Sequence, residues 1–211
     1  MKIDCVRPLS LLRSPVSVYP LTSVGAEKLV GVLPRFNVTA LRLELRYCCE
    51  TAVNKLVCGI THKTLRELRL EGISLTPAAA TALGRSLPKM SSLKELELTG
   101  VNGSILQAEE IEALFGGINE TFSALEELTL SNFNARGSLS PLTKRVHFFP
   151  RLTRLELHCL NMDERDLHGL LESLRSVTNL LVLPLLGNPL GSLDMVQFMV
   201  QQALPQVELL Y

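Results

Sequence analysis

Cys48, Cys49, Cys58 and His62 are the residues of this 211-residue chain whose types first suggest chemistry, and that chemistry would be zinc binding. Thiolate and imidazole ligands must all lie within about 2–2.3 Å of one ion. Cys48 closes an extended segment, whereas Cys58 and His62 come at the far end of the apolar stripe Val53, Leu56, Val57 and Ile60, whose spacing is helical. Ten helical residues span about 15 Å, so the two ends of that helix cannot share a tetrahedral site. His158 and Cys159 are the next candidates, as base and nucleophile. Neighbours on a strand point to opposite faces, so neither reaches the other. His168 stands beside Leu167 in a helical stripe, near solvent, and His147 has no acidic neighbour in sequence. Neither a G-x-S-x-G elbow nor a G-x-x-x-x-G-K-S/T phosphate loop occurs. The residues point away from catalysis and from a bound metal or cofactor.

The segments that carry these side chains are repeated. LRELRLEGI at 65–73, LKELELTGV at 93–101, LEELTLSNF at 125–133 and LTRLELHCL at 152–160 share Leu at their first, fourth and sixth positions. LLVLPLLGN at 180–188 is a further copy ending in Asn188, and ALRLELRYC at 40–48 begins with Ala40 and ends with Cys48. Val207 and Leu210 open one more, and Val6, Leu9 and Leu11 make a degenerate one. Starts near 40, 65, 93, 125, 152, 180 and 207 lie 25 to 32 residues apart. Such regularity marks a repeat array. On a strand the fourth and sixth leucines face the same way, and the first turns in at the strand's entry. No unit can bury that row alone; stacking buries it and joins the strands into one parallel sheet.

Helical patterns fill the intervals. Leu167, Leu170, Leu171, Leu174 and Val177 recur at helical spacing after residues 163–165, and Ile111, Leu114, Phe115, Ile118 and Phe122 form another stripe. Thr76 before Pro77 predicts a capped helix that buries Ala82, Leu83, Leu87 and Met90. Val196, Met199, Val200, Ala203 and Leu204 make the last. Because a helix is wider than a strand, the stack must curve. The expected fold is α/β: a right-handed solenoid, or horseshoe, over residues 1–211, with the sheet on the concave face and the helices on the convex face. Two units are irregular, with extra residues at 101–107 (VNGSILQ) and no clean stripe at 134–150. Both read as surface loops, either on a binding side or drifting where loops tolerate it.

These phrases resemble the ribonuclease-inhibitor type of leucine-rich repeat, which forms the C-terminal region of the NOD-like receptors, over about residues 20–211. The resemblance implies a non-catalytic interaction domain in the cytoplasm that senses ligand or holds a neighbouring nucleotide-binding domain inactive in innate immunity, as a fragment of a longer protein. A free-standing scaffold or inhibitor of the ribonuclease-inhibitor kind is the alternative. It also implies that Cys48, at a ninth position where such repeats place Asn or Cys, bonds the turn backbone. The lack of a phosphate loop puts any nucleotide switch outside this chain.

Lys plus Arg and Asp plus Glu each number 21, so nucleic acid finds no electrostatic footprint, and no apolar run reaches the roughly 18 residues that span a bilayer. Five cysteines without paired spacing argue for free thiols in a reducing compartment. The three sequons at Asn37, Asn102 and Asn119 would matter only in a secreted protein. The outward strand positions include Arg42, Glu44, Arg69, Glu95, Glu97, Glu127, Arg154, Glu156 and His158. They form either a charged concave surface for a protein or neighbouring domain, or a set of cross-strand ion pairs worth about 0.2–1 kcal/mol each. In this register Glu44, Arg69 and Glu97 share one column, as do Arg42 with Glu67 and Glu127 with Arg154. Leu181, Val182, Pro184 and Leu186 replace charge with apolar surface, to be covered by the C-terminal segment or by a partner. The oligomeric state is not legible here.

Overall fold

The computed structural model describes residues 16–18, 21–35, 37–60, 63–118 and 124–211. One eight-stranded sheet runs in chain order, every neighbouring pair parallel: β1 (Val16–Val18), β2 (Ala40–Glu44), β3 (Glu67–Ile73), β4 (Glu95–Ile105), β5 (Glu127–Asn134), β6 (Arg154–His158), β7 (Val182–Pro184) and β8 (Glu208–Leu210). A helix follows each of the first seven: α1 (Ser23–Val32), α2 (Glu50–Gly59), α3 (Pro77–Ser86), α4 (Ala108–Phe115), α5 (Ser140–Thr143), α6 (Glu164–Leu174) and α7 (Leu193–Ala203). Strands repeat about every 4.8 Å and helices pack 8–10 Å apart, so the sheet takes the inside of the curve. The fold is a leucine-rich-repeat solenoid.

Its spine is the leucine row. Leu41 and Leu43, Leu68 and Leu70, Leu96 and Leu98, Leu128 and Leu130, Leu155 and Leu157, and Leu183 and Leu185 are each at most 1% exposed. Leu65, Leu93, Leu125, Leu152 and Leu180 are buried at the strand entries. Each such side chain removed from water contributes roughly 1.5–3 kcal/mol. Leu56 and Val57, Ala79 and Leu83, Ile111 and Leu114, Leu170 and Leu171, and Val196 and Val200 close the core from the helix side. Phe115 and Phe149 meet edge to face at 6.4 Å, tying α4 to the unit that follows.

The caps hold as the sequence suggests. Thr76 Oγ1 accepts from Ala79 N at 3.3 Å. Asp163 accepts from Arg165 N and Asp166 N, while Asp166 accepts from Asp163 N, a reciprocal box. α1 and β1 were not read from the sequence, and the degenerate copy expected at Val6, Leu9 and Leu11 lies outside the described residues.

Three register readings need correction. Leu41 pairs with Leu68 and Leu43 with Leu70, so the phrase placed at 40 starts at Val38, which takes the buried entry position. Arg-Leu alternation extends two residues too far there, to Leu45, and shifted the count. At the last copy Val207 is buried as expected, but Leu209 pairs with Leu183 and Leu210 with Pro184. Leu210 therefore faces outward, 37% exposed. The insert at 101–107 is not simply a loop: β4 continues through most of it past a bulge, and Ser104 and Ile105 pair with Phe133 and Asn134.

The unit at 134–150 does carry a helically spaced stripe, contrary to the sequence reading, and with it a core. α5 is a single turn followed by a 3-10 turn at Val146–Phe148, and Leu139, Leu142, Val146 and Phe149, spaced three and four residues apart, fill the space.

The turn after four of the strands has a feature that the leucine phrase does not contain. The eighth position of the phrase takes left-handed backbone in four units, with φ of 65° at Gly72, 59° at Asn132, 50° at Cys159 and 72° at Gly187. Only Gly, and less readily Asn, adopts this without cost. The recurrence of Gly, Asn or a small residue at that position was the available signal.

Candidate functional site

The concave face is built by the alternation of the strands: leucines turn in, and the residues between them turn out in columns. Corrected register gives three. Arg42, Arg69, Glu97, Thr129 and Glu156 stand side by side on β2 to β6. Glu44, Glu71, Thr99, Ser131 and His158 form the second. Glu67, Glu95, Glu127, Arg154, Val182 and Glu208 form the third. Glu44 thus stands opposite Glu71 rather than Arg69, and Arg42 opposite Arg69 rather than Glu67.

Two ion pairs run diagonally, Arg42 with Glu67 and Arg69 with Glu95, while Arg69 and Glu97 share a column as expected. Arg42 Nε donates to Glu67 Oε1 at 2.5 Å. Arg69 is a hub: its Nε lies 2.6 Å from Glu67 Oε1 as an ion-pair contact, its Nη2 3.3 Å from Glu95 Oε2 and its Nη1 3.0 Å from Glu97 Oε2. Lys94 reaches Glu126 at 2.6 Å one position earlier. Glu127 is in register with Arg154, as read from the sequence. Yet Arg154 Nε turns along its own strand to Glu156, and His158 Nε2 sits 3.3 Å from the same carboxylate. Among the described residues none holds Glu127 in an ion pair, and Glu95 is its other in-register neighbour.

The two carboxylates at either end of this network titrate oppositely. Burial acts to raise Glu67, but the hydrogen bond from Arg42 and the charges of Arg69 and Arg42 outweigh it, and its pKa falls. Burial raises Glu127, the Glu95 charge raises it further, and Arg154 only partly opposes them. The signs follow from linkage. Glu67 contributes stability above the unfolded carboxylate pKa, lost as pH falls through its folded value. Glu127 binds its proton more tightly in the fold, so its contribution is most favourable in acid and is lost as pH rises through its folded pKa. Glu67→Gln is therefore expected to lower Tm at neutral pH. Glu127→Gln is expected to raise stability slightly, by no more than about 0.5 kcal/mol after solvent screening. Both differences should vanish in acid, where the two carboxyls are protonated in folded and unfolded chains alike. Melting curves of both variants across pH 3–7 check this; a common sign at neutral pH would refute it.

No model of a protein family matches the sequence, and no curated protein matches it. Among solved structures the chain is similar to a leucine-rich-repeat protein of Leptospira interrogans, at 16% identity and a TM-score of 0.38, covering 82% of this chain and 49% of that one. It is similar to a Bacteroides fragilis protein at 15% identity and a TM-score of 0.40, over 92% of this chain and 73% of that one. It is also similar to a chain in the yeast Rad7–Elc1 complex, at 13% identity and a TM-score of 0.35, over 88% of this chain and 65% of that one. The chain spans about half the length of the Leptospira protein.

The remaining candidates are scattered through the fold. Cys48 and Cys58 lie at opposite ends of α2, and His62 is outside the described residues. Cys48 is structural: its Sγ donates to Leu21 O at 3.0 Å, bonding the previous unit's backbone as the resemblance implies, although it stands at the eleventh position once the start moves to Val38. Burial pushes its thiol pKa up, whereas the exposed Cys49, beside the Ser23 hydroxyl and the first amides of α2, is lowered. Cys159 occupies the left-handed turn, not the strand that carries His158. Among the described residues no three His, Cys, Asp or Glu side chains converge as metal ligands, and no helix is long and apolar enough to cross a membrane.

On β7 the apolar surface is divided. Pro184 is buried, but Leu181 is 54% and Leu186 46% exposed. β8 lies beside these residues in the sheet and leaves both leucines open.

Proposed function

We propose that this chain is a non-catalytic protein-interaction module that binds through its concave face, as the ligand-sensing or autoinhibitory repeat domain of a cytoplasmic NOD-like receptor of innate immunity. The observation that carries the binding reading is the contrast within one column. Glu67 is neutralised by two arginines, while Glu127 stands between Glu95 and an arginine committed elsewhere. Like charges in register on adjacent strands disfavour the sheet, and a partner's cation would relieve them. The receptor assignment is supported by the repeat phrases of the sequence.

A photo-cross-linker placed at Glu97 or Glu156 is expected to capture one discrete protein in cytosol of the source cells. One placed at His168 or Glu172, exposed on α6, should capture none. Glu127→Lys should weaken the captured complex at least about tenfold, or 1.4 kcal/mol. Adducts formed only from α6 would overturn the concave reading. The receptor assignment is tested separately, by whether the transcript reads upstream of residue 1 into a nucleotide-binding domain.

A further inference from the structure

Charge is segregated on this molecule. The chain as a whole balances, with 21 basic and 21 acidic residues. The three outward columns on β2 to β6 carry seven glutamates and three arginines, so 14 acidic and 18 basic residues are left to the rest of the chain. This part of the concave face is negative and the remainder positive. Within it the imbalance centres on β5. Thr129 stands in one column between Glu97 and Glu156, and Glu127 shares its strand face two residues earlier. In-register neighbours on adjacent strands lie about 4.8 Å apart, so three glutamates ring one threonine. Arg69 and Arg154 meet Glu97 and Glu156 from the two sides, and β5 itself carries no cation. The nearby Thr99 and Ser131 hydroxyls bond each other at 2.9 Å, whereas among the described residues none hydrogen-bonds the Thr129 hydroxyl.

We propose that the concave face takes its protein partner through an arginine-rich segment, one guanidinium of which seats over Thr129 between Glu97, Glu127 and Glu156. This rests on the concave-face reading above and names the chemistry of the partner. A guanidinium carries five N–H donors in one plane, enough to serve several carboxylates and a hydroxyl together. Its bonds to carboxylates are charge-assisted, and they strengthen as the partner's body excludes water from the face. The net negative charge of these columns also draws a basic segment in from solution and turns an acidic one away. Glu127, held by no ion pair among the described residues and placed in register with Glu95, gains most from the added cation.

Fluorescence anisotropy of the 211-residue chain with labelled nona-arginine and nona-glutamate peptides tests this. The wild type is expected to bind nona-arginine, less tightly as salt rises, and to leave nona-glutamate free. Glu127→Gln, expected to leave the fold no less stable, should weaken the arginine probe at least about threefold. Thr129→Lys supplies the cation from within the chain; it should weaken the probe at least about tenfold and melt no lower than the wild type. Glu172→Gln removes the same charge from exposed α6 and should bind as the wild type does. No binding of nona-arginine would overturn the proposal. So would equal affinity for the wild type, Glu127→Gln and Thr129→Lys, because the probe would then read charge anywhere on the surface. Capture of a protein from Glu97 or Glu156 without nona-arginine binding overturns this proposal alone, whereas capture only from α6 overturns the concave reading beneath it.

Discussion

Asn188→Ala is expected to destabilise the chain by about 4 kcal/mol, because four buried backbone groups lose their partners at once, each orphan costing roughly 1–3 kcal/mol with partial relaxation. Asn188 Nδ2 donates to Leu157 O at 2.6 Å and Leu185 O at 2.8 Å, and its Oδ1 accepts from Leu160 N at 2.9 Å and Met162 N at 3.2 Å. The side chain is buried and uses every hydrogen-bonding group it has. Two of its partners flank the turn into α6, so one amide ties the sheet of the last units to the helix layer before them. Asn188→Asp keeps the acceptors and loses the donors, and it should recover part of the loss on acidification as the carboxyl regains a proton. Urea titrations of the wild type and both variants measure the effect. A loss below about 1 kcal/mol for the alanine variant would mean that water replaces the amide.

Gly84→Ala reverses the usual sign of a helix substitution. In an ordinary helix interior, alanine gains about 1 kcal/mol over glycine. Gly84 faces α4 so closely that a Cβ would lie 2.0 Å from Ala113 O and 3.0 Å from both Ala113 C and Leu114 O. These are backbone atoms of a neighbouring helix, and no rotamer change can clear them. Overpacking of this kind costs about 1–3 kcal/mol, occasionally more, and a contact this short belongs at the upper end. The expected result is a lower Tm, by about 2 kcal/mol net, with faster amide exchange in α3 and α4 than in α6. A raised Tm would show that the two helices can separate freely.

The leucine rows and most helices were legible because their period is dictated by burial: a unit that failed to bury Leu68 or Leu70 would not stack. Register was less legible where the pattern was generous. Leu41, Leu43 and Leu45 alternate without a break, and nothing in that run says which two face β3. The pairing was decided by Val38 at the entry, a residue the phrase does not require. Of the candidate surface, the sequence identified the outward residues and two of the pairs, Arg42 with Glu67 and Arg69 with Glu97, but missed the diagonal geometry of the first and the turn of Arg154 away from Glu127. Arginine side chains are long enough to choose a diagonal neighbour, so Arg42 reached Glu67 and Arg154 turned to Glu156. That choice is what left Glu127 outside any ion pair among the described residues. α5 was harder to read because only four residues of its unit are α-helical, although Leu139, Leu142, Val146 and Phe149 keep helical spacing.

The single turn of α5 has a mechanical consequence. In an arch the outer blocks set the bend, and where one block is thin the rim has less material to resist being squeezed or stretched. α4 and α6, with 8 and 11 residues, stand on either side of that 4-residue turn. The convex rim between β5 and β6 is therefore built of two short turns rather than a long helix, and a body gripped by both limbs is expected to bend the molecule more easily at that joint than between β3 and β4.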